Sequence, residues 1–176
     1  MQNEDSVIDS LASLAKKTGF VSQNFSEATA QALAPLEPFA AYVITQAIQR
    51  YGQNERSLFS FLNARGRNSL SEYEGKIYQL QCCYDYIYYN FYSYLKEANA
   101  DSMQWSSMQV AIERVEGQLW ETKTDLVDAI KLVKAIGLLN LFGNASFKMN
   151  REDTALYAKT ALNIENPTGL LKKLEQ

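Results

Sequence analysis

From residue 4 onward, apolar residues return every three or four positions, and glycine or proline stands where the pattern stops. That interval is the turn of an α-helix, so the chain is committed to helices that each bury one stripe. Trp105, Met108, Ile112 and Val115 show it most plainly, and residues 126–142 are apolar on most sides, as a helix enclosed by others requires. Only three prolines and eight glycines interrupt the 176 residues. The reading is all-α, with seven to nine helices.

The expected segments follow from the punctuation. A first amphipathic helix covers 4–17 and finishes at Gly19, packing loosely on the remainder. Pro35 and Pro38 suit the first turn of a helix that reaches Tyr51, with Gly52 as its cap. Asn54 caps a short helix over 55–64, whose Leu58, Phe59, Phe61 and Leu62 are expected to enter the core beside Arg56. A long helix is expected over 72–98, then one capped by Ser102 and one over 126–142 closed by Gly143. Short helices begin at Asn150 and at Asn166–Pro167. Trp105, Ile112, Leu126, Ile130, Leu138 and Leu139 are expected to be largely buried. The chain stops at Gln176 inside an amphipathic pattern, which reads as a truncation.

Charge and composition remove several functions. Seventeen Lys and Arg against twenty Asp and Glu leave a net charge of −3, no field for holding nucleic acid or an anionic membrane. With no histidine, the usual general base and the commonest zinc ligand are missing. Cys82 and Cys83 are adjacent, without the spacing of a metal or redox pair, and read as buried thiols in a reducing cytoplasm. The start, with Glu4 and Asp5 rather than a basic region before an apolar run, and the lack of an apolar run long enough for a membrane span give the expectation that the chain is neither exported nor inserted. Glu72 and Glu74, or Glu113 and Glu116, read as solvated helix faces, and no glycine-rich phosphate loop occurs. The chain itself is therefore expected to have no catalytic residue, metal site or cofactor.

Two stretches remain as candidate sites. In "CCYDYIYYNFYSY" the aromatic residues keep helical spacing, and its second face, Tyr86 and Tyr89, is read as meeting another subdomain or a protein partner. In "GQNERSLFSFL", residues 52–62, a glycine turn and a capping asparagine deliver Arg56 to a helix start.

The second stretch also carries a resemblance. With "LQCCYDYIYYNF", "WSSMQVAIERVE", "LVDAIKLVKAIGLLNLFG" and "LNIENPTGLLKKLEQ" following in order, residues 30–176 resemble the region after the nucleotide-binding domain in large bacterial P-loop ATPases of the AAA type. Ala34 departs from that family's usual histidine and Glu37 from its usual threonine. The family's Walker motifs would lie upstream of Met1, and its chains continue past Gln176 into a basic hairpin.

The resemblance implies an N-terminal helix and linker over 1–29, a helical lid-like bundle over 30–121, and a partial winged-helix-like unit over 122–176. It implies a partner in the upstream nucleotide-binding domain of the same chain, with ATP and magnesium held there. Arg56, supported by Gly52 and Asn54, would then sense the terminal phosphate, because a guanidinium offers a permanently charged fork of donors. The other reading of Arg56 is a structural ion pair with Glu55, Glu37 or another acid. At the level of the whole chain, the alternative is a stand-alone helical adaptor working through its tyrosine-rich helix.

Overall fold

One helix, α8 (Lys123–Phe142), organises the architecture of the computed structural model, which describes residues 3–53, 55–63 and 66–176. Its Ala129, Leu132, Ala135, Leu138, Leu139 and Phe142 are buried. They pack along α5 (Leu80–Asn90) and α7 (Ser102–Glu116), with further contacts to α3 (Pro38–Tyr51) and α10 (Pro167–Leu174). The remaining helices are α1 (Glu4–Lys17), α2 (Glu27–Ala32), α4 (Glu55–Asn63), α6 (Tyr92–Lys96) and α9 (Arg151–Thr160). A 3-10 turn covers Leu70–Glu72. The all-α helix-bundle class is thus what the structure shows. Among the described residues there is no strand, only an isolated parallel bridge between Leu36 and Tyr78. None of the described helices is long and apolar enough to cross a membrane.

Helix starts are fixed by side-chain acceptors for orphan backbone donors. Thr122 with Asp125, and Asn150 with Asp153, form reciprocal capping boxes at α8 and α9. Ser26, Glu37 and Asn166 cap α2, α3 and α10. Ser102 does not cap α7: it is the first helical residue, and its hydroxyl donates to the Asn99 carbonyl at 3.0 Å. At the end of α1, Gly19 adopts φ +73°, and a Cβ there would lie 2.5 Å from the Ser146 carbonyl oxygen.

The first helix is packed more tightly than its sequence suggests. Val7, Ile8, Leu11, Ala12, Leu14 and Ala15 are buried, and α1 lies against α2, α3 and α9. Beyond its end, the Phe20 ring meets Phe39, Tyr42 and Phe147 at 5.0, 4.8 and 5.1 Å. The apolar cluster runs unbroken from Val7 to Leu171, across the boundaries drawn at 29/30 and 121/122.

The expected helix over 72–98 is the main departure. Residues 73–79 leave helical geometry because the Tyr78 amide donates to the Pro35 carbonyl at 2.7 Å, pairing this segment with the approach to α3. Gly75 lets the Tyr73 ring fold back to where a Cβ would sit, and the Tyr73 hydroxyl donates to the Ile77 carbonyl. The helical stretch breaks again at Phe91 (φ −113°, ψ 18°), whose ring turns toward Tyr51 and Tyr86. These breaks and α2 raise the count to ten α-helices among the described residues. Of the six residues expected in the core, Trp105, Ile112, Leu138 and Leu139 are buried, whereas Leu126 and Ile130 are only partly covered.

Helix α4 corrects the expected core entry. Of its four large apolar residues only Phe61 is enclosed; Leu58, Phe59 and Leu62 remain 44%, 64% and 39% exposed. Leu138→Ala should therefore cost about 2–5 kcal/mol through a core cavity, and Leu58→Ala at most about 1 kcal/mol. Denaturant unfolding of both variants checks this, and equal losses would show that Leu58 is a core residue.

Candidate functional site

The turn between α3 and α4 is built on a braced helix end. The Tyr51 hydroxyl donates to Asp101 Oδ2 at 2.5 Å and accepts from Trp105 Nε1 at 3.1 Å. Arg50 Nη1 reaches the same carboxylate oxygen at 3.3 Å while its guanidinium lies 4.8 Å over the Phe142 ring. Burial, followed by the Asp101 hydrogen bond, pushes the Tyr51 phenol well above its usual range, so this hydroxyl is a fixed strut.

From that strut the chain turns through Gly52, whose amide closes α3 onto the Ile48 carbonyl at 3.0 Å. The Gln53 amide then donates to Ser57 Oγ at 2.7 Å, and the Arg56 amide to the Gln53 carbonyl at 3.1 Å. Asn54, the expected cap, lies outside the described residues. Arg56 stands exposed in the first turn of α4 and forms no ion pair among the described residues. The expected alternative, a structural pair with Glu55 or Glu37, is therefore not what the structure holds.

Below α4 an apolar groove of about 730 Å³ runs toward α2 and α3, lined by Phe25, Leu33, Tyr42, Leu58 and Leu62 among others. Among the described residues that line it, the polar ones are Ser22, Asn24, Thr29, Tyr42, Thr45 and Asn144, and none is charged. A surface lined mostly by apolar side chains suits apolar contact.

The tyrosine pair expected at a partner interface is divided by the fold. Tyr86 is 3% exposed and packs edge-on against Phe61 at 4.9 Å, so its ring is already used to hold α4. Tyr89 is 57% exposed, with the Arg67 guanidinium 5.3 Å from its ring, and Tyr92 and Tyr94 are exposed beyond it. Among the described residues no three His, Cys, Asp or Glu side chains gather as a metal's ligands would.

Glu37 is the residue that sequence reasoning placed least well. It is fully buried, with Oε2 accepting the Phe39 amide at 2.8 Å and Oε1 the Tyr157 hydroxyl at 2.7 Å. Burial pushes its carboxyl up to about 7, against the pull of the Tyr157, Phe39 and Ala40 hydrogen bonds. Its flanks, Leu36, Pro38 and Phe39, are the only local signal that the acid sits in apolar surroundings.

Gly52 tests the turn. A Cβ there would lie 2.6 Å from Ser57 Oγ and 2.9 Å from the Ile48 carbonyl, so Gly52→Ala must displace the hydroxyl that receives the Gln53 amide. The expected loss is about 1–3 kcal/mol, read by denaturant unfolding; a neutral substitution would show that this turn is not tightly built. No family model matches the chain, and no curated protein or solved structure is found to match it.

Proposed function

We propose that this chain is a non-catalytic helical segment that docks through α4 onto a nucleotide-binding domain preceding it in the same polypeptide, relaying nucleotide state. The observation that carries this reading is the outward face of α4. Phe59 is 64% exposed, Leu58 and Leu62 are only partly covered, and Arg56 beside them forms no ion pair among the described residues, while Phe61 is the one side chain of α4 that is fully enclosed. An apolar helix face with a guanidinium at its first turn matches a surface that presents an apolar seat next to an anion. In this reading ATP and magnesium belong to the partner domain, Gly52 and Asn54 set the turn, and Arg56 reaches the terminal phosphate. Helices α8, α9 and α10 would be the first part of a winged-helix unit, and the protein would work in the cytoplasm.

A second reading is favoured by a different surface. Tyr89, Tyr92 and Tyr94 are all exposed at the end of α5 and along α6, as an adaptor binding a protein partner through aromatic anchors would have them.

The reading frame upstream of Met1 separates the two: an in-frame Walker A motif supports docking, and a stop codon preceded by a ribosome-binding site supports the adaptor. In an ATPase that contains this segment, Arg56→Ala should remove a charge-assisted contact of about 1.5–3 kcal/mol. Hydrolysis should then fall roughly ten- to a hundredfold with an unchanged thermal midpoint. Normal turnover, or unfolding of the variant, would remove the phosphate-sensing role. The segment alone should give no binding heat with Mg-ATP in calorimetric titration.

A further inference from the structure

We propose that the tyrosine face of α5 and α6 binds an acidic peptide segment of a protein partner. Its carboxylates pair with Arg67 and Lys96, and its apolar or aromatic side chains lie on Tyr89, Tyr92 and Tyr94. The proposal rests on the adaptor reading and adds to it the chemistry of what is bound. All three tyrosines are exposed, and because the helix breaks at Phe91 they belong to two elements that a bound segment would bridge.

The charges on this face select the occupant. Elsewhere in the fold, a cation held over an aromatic ring has a carboxylate beside it. Lys134 lies 5.2 Å from the Tyr84 ring centroid and meets Asp85 Oδ1 at 2.6 Å. Arg50 lies 4.8 Å over Phe142 and reaches Asp101 Oδ2 at 3.3 Å. Lys173, 4.5 Å over Trp120, shares a hollow with Glu121, Asp125 and Glu165.

On the tyrosine face the ring and the cation recur without the acid. The Arg67 guanidinium is 5.3 Å from the Tyr89 ring and Lys96 Nζ is 5.2 Å from the Tyr92 ring. Both cations are exposed, and neither forms an ion pair among the described residues. Asp85, the acid of α5, is taken by Lys134, and Glu97, next to Lys96, does not pair with it. The ring holds each cation in place, so an arriving carboxylate meets a side chain that has less freedom left to lose.

Exposed rings beside cations also suit stacked bases, but affinity for a nucleic acid grows with the number of phosphates neutralised. Here two cations stand beside Glu97 on a chain of net charge −3, which is too little for a polyanion. A peptide needs only one carboxylate for each cation and side chains that cover the tyrosine rings, as aromatic anchors in protein interfaces are covered.

The test is an NMR titration of the intact chain with a soluble peptide alternating Glu and Phe, its Gln counterpart, and a single-stranded oligothymidylate. The acidic peptide should move the amide signals of residues 88–97 and lose affinity as salt is raised. Arg67→Gln and Lys96→Gln, both at exposed positions, should each weaken it about fivefold with the remaining signals unchanged. Equal binding of the Gln peptide, or unaltered affinity in both variants, would overturn the proposal and leave the adaptor reading standing. No movement with the acidic peptide, movement on α4 instead, or tighter binding of the oligothymidylate would each overturn it too. An in-frame Walker A motif upstream of Met1 would remove the adaptor reading without moving any of these signals, so the two failures are told apart.

Discussion

The apolar surface of α8 is the contact on which the other helices depend. A helix apolar on most of its circumference cannot remain in water, and α7, α5, α3 and α10 each cover part of it. Charges are admitted only where they pair: Lys134, near the middle of α8, meets Asp85 of α5 at 2.6 Å. Removing any one of these helices would expose the α8 stripe that it covers, which is why the bundle shares one continuous cluster.

Aromatic rings extend that cluster to its ends. Phe20 carries α1 onto Phe39 and Phe147, and Phe39 passes the contact to Tyr157 of α9. Tyr51 performs the same service on the far side, touching Phe142, Trp105 and Tyr94 within about 6 Å. The polar groups inside this packing are those with partners: Glu37, Tyr157 and Asp153 are all hydrogen-bonded, as enclosure demands.

What could be read in the sequence was what local period and local caps decide. Helices α1, α3, α7, α8, α9 and α10 lie close to their expected spans because each carries its own stripe and its own stop residue. Residues 73–79 could not be read that way, since a bond to Pro35, far away in sequence, overrides the local pattern. The site was half legible. Gly52 as a cap and Arg56 at a helix start follow from residue type, whereas the outward face of α4 does not. Leu58, Phe59 and Leu62 have the same spacing whether their own core or another surface covers them. Tyr86 and Tyr89, three apart on one helix, were likewise indistinguishable until Phe61 was placed against one of them. A lone acid such as Glu37 defaults to solvent in any sequence reading.

The mounting of α4 has a consequence for motion. Phe61, held between Tyr78 and Tyr86 at 5.5 and 4.9 Å, is the one side chain of α4 that the bundle encloses. Lifting this helix away would wet that ring, the faces of Tyr78 and Tyr86 that it covers and the covered parts of Leu58 and Leu62, still far less apolar surface than global unfolding exposes. The helix is in effect a pivoting arm on one pin, able to change its angle to the bundle without the bundle having to melt.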